Sequence, residues 1–228
     1  MSLSSQRSLI QVARDLLKRD SAEFIGWHGT NSMTAEFWKK QGWIAKPSAQ
    51  LSVFEYLGFS RLSSGRLTSG ADEQLGPGLY ITDYRYAAMI FANNNAKINP
   101  GTEPRVCGIF ARSSQAWRRY TKKVLIPNSL VKDSSDAATK QKHEAERLSW
   151  IQRILPGHPS NSVVRISPIA PDVKSYEGNQ LLLPGSIATR FYAVCVDGKP
   201  TSTVTPVGVT SLNYMSPSLW RDWGVYHR

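Results

Sequence analysis

The sequence predicts an α+β fold, with two antiparallel β-sheets packed around a cleft and decorated by helices. Short strand-like runs outnumber helical patterns along the chain, a mixture that gives α+β rather than a wound parallel sheet. No Gly-x-Gly-x-x-Gly run follows a strand, which removes the usual dinucleotide-binding βαβ unit. With 228 residues, 41% hydrophobic and 20% charged, the chain is long enough for a sizeable core and ordinary in composition.

The elements follow in order. Leu9, Ile10, Ala13, Leu16 and Leu17 fall on one face of a helix over 6–19, ahead of the core. A strand over 23–27 delivers His28. Residues 34–41 read as a helix closed by Gly42, which suits the left-handed cap. Residues 43–45 read as a short strand ended by Pro47. Residues 48–74 are irregular and rich in Ser, Gly and Arg, as a functional loop or lid is. A strand over 78–82 runs into a helix over 84–93, with Asp83 as its N-cap. The Asn93–Asn95 run and Asn99-Pro100-Gly101 end that helix. Strands are expected over 105–112 and 123–126. A long polar helix over 135–155, turned inward at Ala138, Leu148, Ile151 and Ile154, stops at Pro156-Gly157. The last strands are 163–166, 180–183 and 191–196. The chain thus reads as a single domain: an N-terminal helix (1–22), a core (23–197) and an aromatic-rich tail (198–228) docking on it.

The net charge of +11 and isoelectric point near 9.8 attract polyanions. That field serves substrate capture, an acidic target or a membrane surface, or solubility alone. Basic pairs stand at Arg118-Arg119 and Lys122-Lys123, but no aromatic-interleaved basic ribbon or zinc-finger spacing appears. A macromolecular partner is therefore expected to be protein ahead of nucleic acid. No apolar run reaches the ~18 residues of a membrane span. The start of the chain lacks the apolar core of a secretory signal, leaving a cytoplasmic protein or a delivered or secreted effector. Cys107 and Cys195 both lie in strand-like runs. They are too few for a zinc site and read as two buried thiols or one bridge between neighbouring strands. His143, His158 and His227 have no ligand-like partners in sequence, so no metal is implied.

Two stretches carry the chemistry. The first is Phe24-Ile25-Gly26-Trp27-His28-Gly29-Thr30. The second is Leu75-Gly76-Pro77-Gly78-Leu79-Tyr80-Ile81-Thr82-Asp83, followed by Ala87-Ala88-Met89-Ile90-Phe91-Ala92. In this order they resemble the NAD-binding core of the ADP-ribosyltransferases, in the branch of diphtheria toxin and the poly(ADP-ribose) polymerases. That branch has a His-Gly-Thr/Ser strand, then a Gly-x-Gly-[Ile/Leu]-Tyr strand running into a helix with a second aromatic. Here Phe91 falls eleven residues after Tyr80.

The resemblance implies a role for each motif residue. His28 hydrogen-bonds a ribose hydroxyl on the adenosine side of NAD, and imidazole suits this because one nitrogen donates while the other accepts. Gly29 grips the nicotinamide carboxamide through its backbone, with the Thr30 hydroxyl beside it and Gly78 also lining the substrate. Tyr80 and Phe91 form a slot for the cationic nicotinamide ring. Ala88 stands where the polymerases carry a Ser, so that contact is lost. Gln180 aligns with the catalytic Glu, the largest departure from the pattern. An amide holds the ribose hydroxyl but adds no charge and is not a general base. Glu177 is the rival acid. On a regular strand it faces away from Gln180, and a bulge at Gly178-Asn179 would turn it inward.

The implied activity is that of a toxin-like mono-ADP-ribosyltransferase, with NAD as substrate, a macromolecule as acceptor, and His28, Tyr80 and Gln180 as catalytic residues. Gln180 keeps two alternatives open. One is an NAD glycohydrolase on the same fold, with water as acceptor. The other is a non-catalytic module that binds NAD, ADP-ribose or a polyanion, against which the paired aromatics count.

Overall fold

The computed structural model describes residues 21–45, 74–169, 178–199 and 203–227. The helix expected over 6–19, all of the 48–74 loop except Gln74, and Glu177 lie outside the described residues.

Eight strands make up the sheet: β1 (Glu23–Asn31), β2 (Leu79–Thr82), β3 (Pro104–Ala111), β4 (Lys123–Leu125), β5 (Val164–Pro168), β6 (Asn179–Leu183), β7 (Phe191–Asp197) and β8 (Val225–Tyr226). Their order is β7-β3-β1-β2-β6-β5-β4-β8. The fold is α+β. Where two antiparallel sheets were expected, the strands connect in one mixed sheet, because β4 runs parallel to both β5 and β8. The link at its middle is thin. β1 and β2 share the single register pair Trp27–Thr82, whereas β1 pairs with β3 from Glu23 to Asn31.

Among the described residues, four α-helices cover the sheet: α1 (Ser32–Gln41), α2 (Arg85–Ile98), α3 (Ala137–Ile154) and α4 (Pro217–Trp223). Asn31 caps α1 by accepting from the Thr34 N–H at 2.9 Å, and Gly42 closes it with φ 77°. Asp83 does not cap α2. Its carboxylate accepts instead from the Asn179 N–H (2.9 Å), the Asn179 side chain (2.7 Å) and the Tyr214 N–H (2.8 Å). Nor do the asparagines stop α2 at residue 93. Asn93 donates to Met89 O and Gly198 O, and Asn95 accepts from Asn31 at 2.6 Å, so their amides are satisfied in a helix that runs on to Ile98. Residues 43–45 form no strand, though Ile44 is fully buried. In α3, Ile151 is buried as expected, Ala138 is exposed, and Arg147 is unexpectedly buried.

Alternation along the strands divides the core. One face carries Ile25, Ile81, Ile109, Ile166, Leu181 and Leu183, packed on Trp38, Trp117, Tyr214 and Trp223. On the opposite face, Phe24, Trp27, Val106 and Phe110 lie under Ala88, Met89 and Ala92 of α2, and Leu75, Val124 and Leu182 lie under Ile151 of α3. Each fully buried Ile or Leu contributes about 1.5–3 kcal/mol.

Residues 214–225 close over the first of these faces. The Tyr214 hydroxyl donates to Ile25 O at 2.5 Å, Trp220 Nε1 to Tyr214 O at 2.6 Å, and Trp223 Nε1 to Glu23 Oε1 at 2.8 Å. Beneath them Lys123 is fully buried. Its ammonium donates to Thr121 O (2.8 Å), Trp223 O (2.9 Å) and Trp117 O, and lies 4.2 Å from the Trp117 ring centroid. Cys107 and Cys195 face each other across β3 and β7 and are joined in a disulfide. Of the two readings of these cysteines, the structure has the bridge and not the free thiols.

Candidate functional site

β1 delivers His28 one residue past the Trp27–Thr82 pair, where the ladder to β2 stops. The imidazole takes over the link. His28 Nδ1 lies 2.6 Å from Tyr80 O. A carbonyl only accepts, so Nδ1 carries the proton and Nε2 the lone pair. Nε2 has no hydrogen-bond partner among the described residues. The half-buried ring packs against Trp38, with centroids 5.2 Å apart. Burial lowers its pKa from 6.5 to about 4, with the Tyr80 carbonyl partly opposing the fall. His28 is therefore a neutral acceptor around pH 7.

Gly29 points the other way, at α2. A Cβ there would stand 1.9 Å from Ala88 O, 2.5 Å from Ala92 N and 2.9 Å from Phe91 Cβ. Helix packing therefore requires a glycine at this position, a demand separate from any ligand. The same close approach sets Phe91, half-buried, beside the strand that carries His28. Ala88 is fully buried in this contact and Thr30 is buried on β1.

Tyr80 is fixed at both ends. Its hydroxyl accepts from the Leu75 N–H at 2.8 Å and donates to Gly76 O at 2.9 Å. Its ring is half-buried against the Leu75, Val124 and Leu182 cluster. Gly78, just before it, abuts Leu182 and the backbone of Leu183. Tyr80 pairs with Leu182, and Thr82 pairs with Gln180. Directly paired residues, and residues two apart on one strand, share a face. Gln180 therefore stands on the Tyr80 face, one step along the sheet. It is 7% exposed, and its Nε2 donates to Gln74 Oε1 at 2.8 Å and to Pro168 O at 3.2 Å. The Pro168 carbonyl accepts only, which fixes which end of the amide is nitrogen. Oε1 has no partner among the described residues.

The structure thus joins His28 to Tyr80 by a hydrogen bond, brings Phe91 against Gly29, and puts Gln180 on the face of Tyr80. Glu177 lies outside the described residues. Sequence reasoning missed Gln74 and the ion cluster behind it. Arg165 makes two hydrogen bonds to Glu144, both at 2.8 Å, and Arg147 adds a third at 3.0 Å. The Glu144–Arg147 spacing was readable as a helical i,i+3 pair. Arg165, inside an apolar strand, gave no such signal.

Among the described residues, no group of three or more His, Cys, Asp or Glu is placed to hold a metal ion, and no helix is long and apolar enough to cross a membrane. His143 and His158 are half-buried and His227 is exposed. No family model matches the sequence, and no curated protein matches it.

Proposed function

We propose that this chain is a mono-ADP-ribosyltransferase that breaks the nicotinamide–ribose bond of NAD, on an ADP-ribosyltransferase-like fold whose cleft opens where β1 and β2 part. The observation that carries the reading is the His28–Tyr80 hydrogen bond at that split, with Gln180 on the face of Tyr80.

In this reading a hydroxyl of the adenosine ribose donates to His28 Nε2. Nicotinamide enters beside Tyr80 and Phe91, whose ring faces favour its positive charge. Gln180 Oε1 accepts from a hydroxyl of the nicotinamide ribose. The C1′–N bond breaks, its electron pair leaves with nicotinamide, and positive charge develops on the ribose. The amide dipole of Gln180 offsets part of that charge, less than a carboxylate does. A nucleophile on the acceptor then bonds to C1′ and releases a proton. The products are nicotinamide and an ADP-ribosylated macromolecule, with protein the preferred acceptor class.

A second reading, an NAD glycohydrolase with water as nucleophile, is favoured by one observation. The Gln180 amide is built into its surroundings, with both N–H groups used, so the position serves a neutral side chain. Incubation with NAD, alone and with a cell lysate, tests both. Label on a macromolecule supports transfer, and nicotinamide release without lysate supports hydrolysis. NAD binding without nicotinamide release in either condition leaves only a binding module.

A further inference from the structure

We propose that Gln74 is a positioning residue: it locks the Gln180 amide with its carbonyl oxygen toward the cleft, and so makes this wall of the site one that rejects a carboxylate. The inference rests on the NAD-cleaving reading for its kinetic consequence, but the amide pair itself can be tested without NAD.

Gln180 carries two N–H donors and one acceptor oxygen. Both donors are used, on Gln74 Oε1 at 2.8 Å and Pro168 O at 3.2 Å. Pro168 O fixes the nitrogen end, and Gln74 takes the remaining N–H, so the amide cannot turn over without leaving two acceptors facing each other. Both glutamines are buried, at 6% and 7% exposure, where such a mismatch is costly.

Gln74 is itself held. Its backbone oxygen accepts from Arg147 at 3.2 Å and from the Lys132 N–H at 3.2 Å. The next residue, Leu75, gives its carbonyl to Arg165 at 2.6 Å and its N–H to the Tyr80 hydroxyl. A Cβ on Gly76 would stand 2.1 Å from Glu144 Oε2, so the ion cluster lies directly on this segment. The Glu144, Arg147 and Arg165 side chains, none of them part of the motifs, thereby fix the backbone that aims Gln74. A glutamate at position 180 would set a carboxylate against Pro168 O and Gln74 Oε1. Gln74 could turn its amide round, but Pro168 O only accepts, so the contact there would be relieved only by the carboxyl taking up a proton.

The test compares Gln74→Leu, which removes the acceptor, with Gln74→Glu, which keeps an acceptor oxygen, against unmodified protein. The readouts are nicotinamide release and the nitrogen-15 spectrum of the Gln180 side-chain amide. Gln74→Leu is expected to lower kcat about tenfold, the worth of one strong side-chain hydrogen bond, with KM for NAD changed less than about twofold. Gln74→Glu is expected to restore kcat. Equal loss in both variants, or full kcat in Gln74→Leu, overturns the proposal. If the protein releases no nicotinamide, the NAD reading fails by itself and the spectrum decides. The Gln180 amide protons are expected to be resolved and slow to exchange, and to lose that protection in Gln74→Leu. An unchanged spectrum refutes the locking contact. Should Gln74→Leu fail to fold, carbon-13 titration of Gln180→Glu in the otherwise unmodified chain replaces it. A carboxyl that titrates well above the usual glutamate range supports the proposal, and one at the ordinary value overturns it.

Discussion

His28 should make the protein acid-sensitive between about pH 6.5 and 4. Its pKa falls from 6.5 to about 4 on folding, chiefly because burial disfavours the imidazolium. The sign follows from linkage. Between those two values the unfolded chain binds a proton that the folded chain does not, so stability rises with pH. The His28 contribution is complete above pH 6.5 and is lost as pH falls towards 4. Each pH unit of separation is worth about 1.36 kcal/mol, so the full loss approaches about 3 kcal/mol. Carboxylates titrate in the lower part of the same range, and a variant isolates the histidine. His28→Asn keeps an N–H within reach of Tyr80 O but carries no titrating ring. Urea unfolding of both proteins between pH 7.5 and 4.5, followed by tryptophan fluorescence, should show a difference that shrinks or reverses with acid by about 2 kcal/mol or more. The nitrogen-15 shifts of the ring should report a proton on Nδ1 throughout. A ring that titrates near 6.5, or equal pH slopes in the two proteins, would show that His28 is not enclosed at the split and would refute the tautomer argument.

Lys123→Met should destabilise the protein by about 3 kcal/mol, since three buried backbone carbonyls lose their donor. Loss of tryptophan fluorescence change at Trp117 and Trp223 should accompany it, and a melting curve equal to wild type would count against this account of tail docking. Reducing the Cys107–Cys195 bridge opens a link between residues 88 apart. The chain-entropy relation gives a loss of at most about 4.5 kcal/mol, so melting with and without dithiothreitol should differ by many degrees. Tyr80→Phe should cost about 1–2 kcal/mol, because the Leu75 N–H and Gly76 O lose the hydroxyl that joins them. It should leave NAD affinity closer to wild type than Tyr80→Ala does, and equal NAD affinity in both variants would argue against ring stacking.

Much of the frame was legible because it rests on local rules. Gly42 sits at the helix end where capping logic puts such a residue, and the strands expected over 78–82, 105–112, 180–183 and 191–196 form within a residue of those bounds. Misreadings came where side chains reach across the fold. Asp83 looks like a cap in sequence, but its oxygens are taken by Asn179 and Tyr214, residues far along the chain. The asparagines of α2 look like a stop signal, but they are satisfied by one another and by Asn31. The single sheet depends on the Trp27–Thr82 pair between β1 and β2, and its mixed character on β4 running parallel to β5, neither of which a local pattern encodes. Within the site, His28, Tyr80, Phe91 and Gln180 were nominated by the resemblance of their motifs to those of the ADP-ribosyltransferases. It could not supply Gln74, whose meaning lies entirely in a contact 106 residues away.

The central claim is tested most directly by nicotinamide release from NAD, measured under identical conditions for unmodified protein and for Gln180→Ala and His28→Ala variants shown to be folded. The account predicts measurable turnover by the unmodified protein. It further predicts a loss of about 2-fold to 13-fold in kcat/KM for His28→Ala, as one ligand hydrogen bond is worth, and a loss at least as large for Gln180→Ala. Turnover that is unchanged in both variants, or absent in all three proteins, would contradict it.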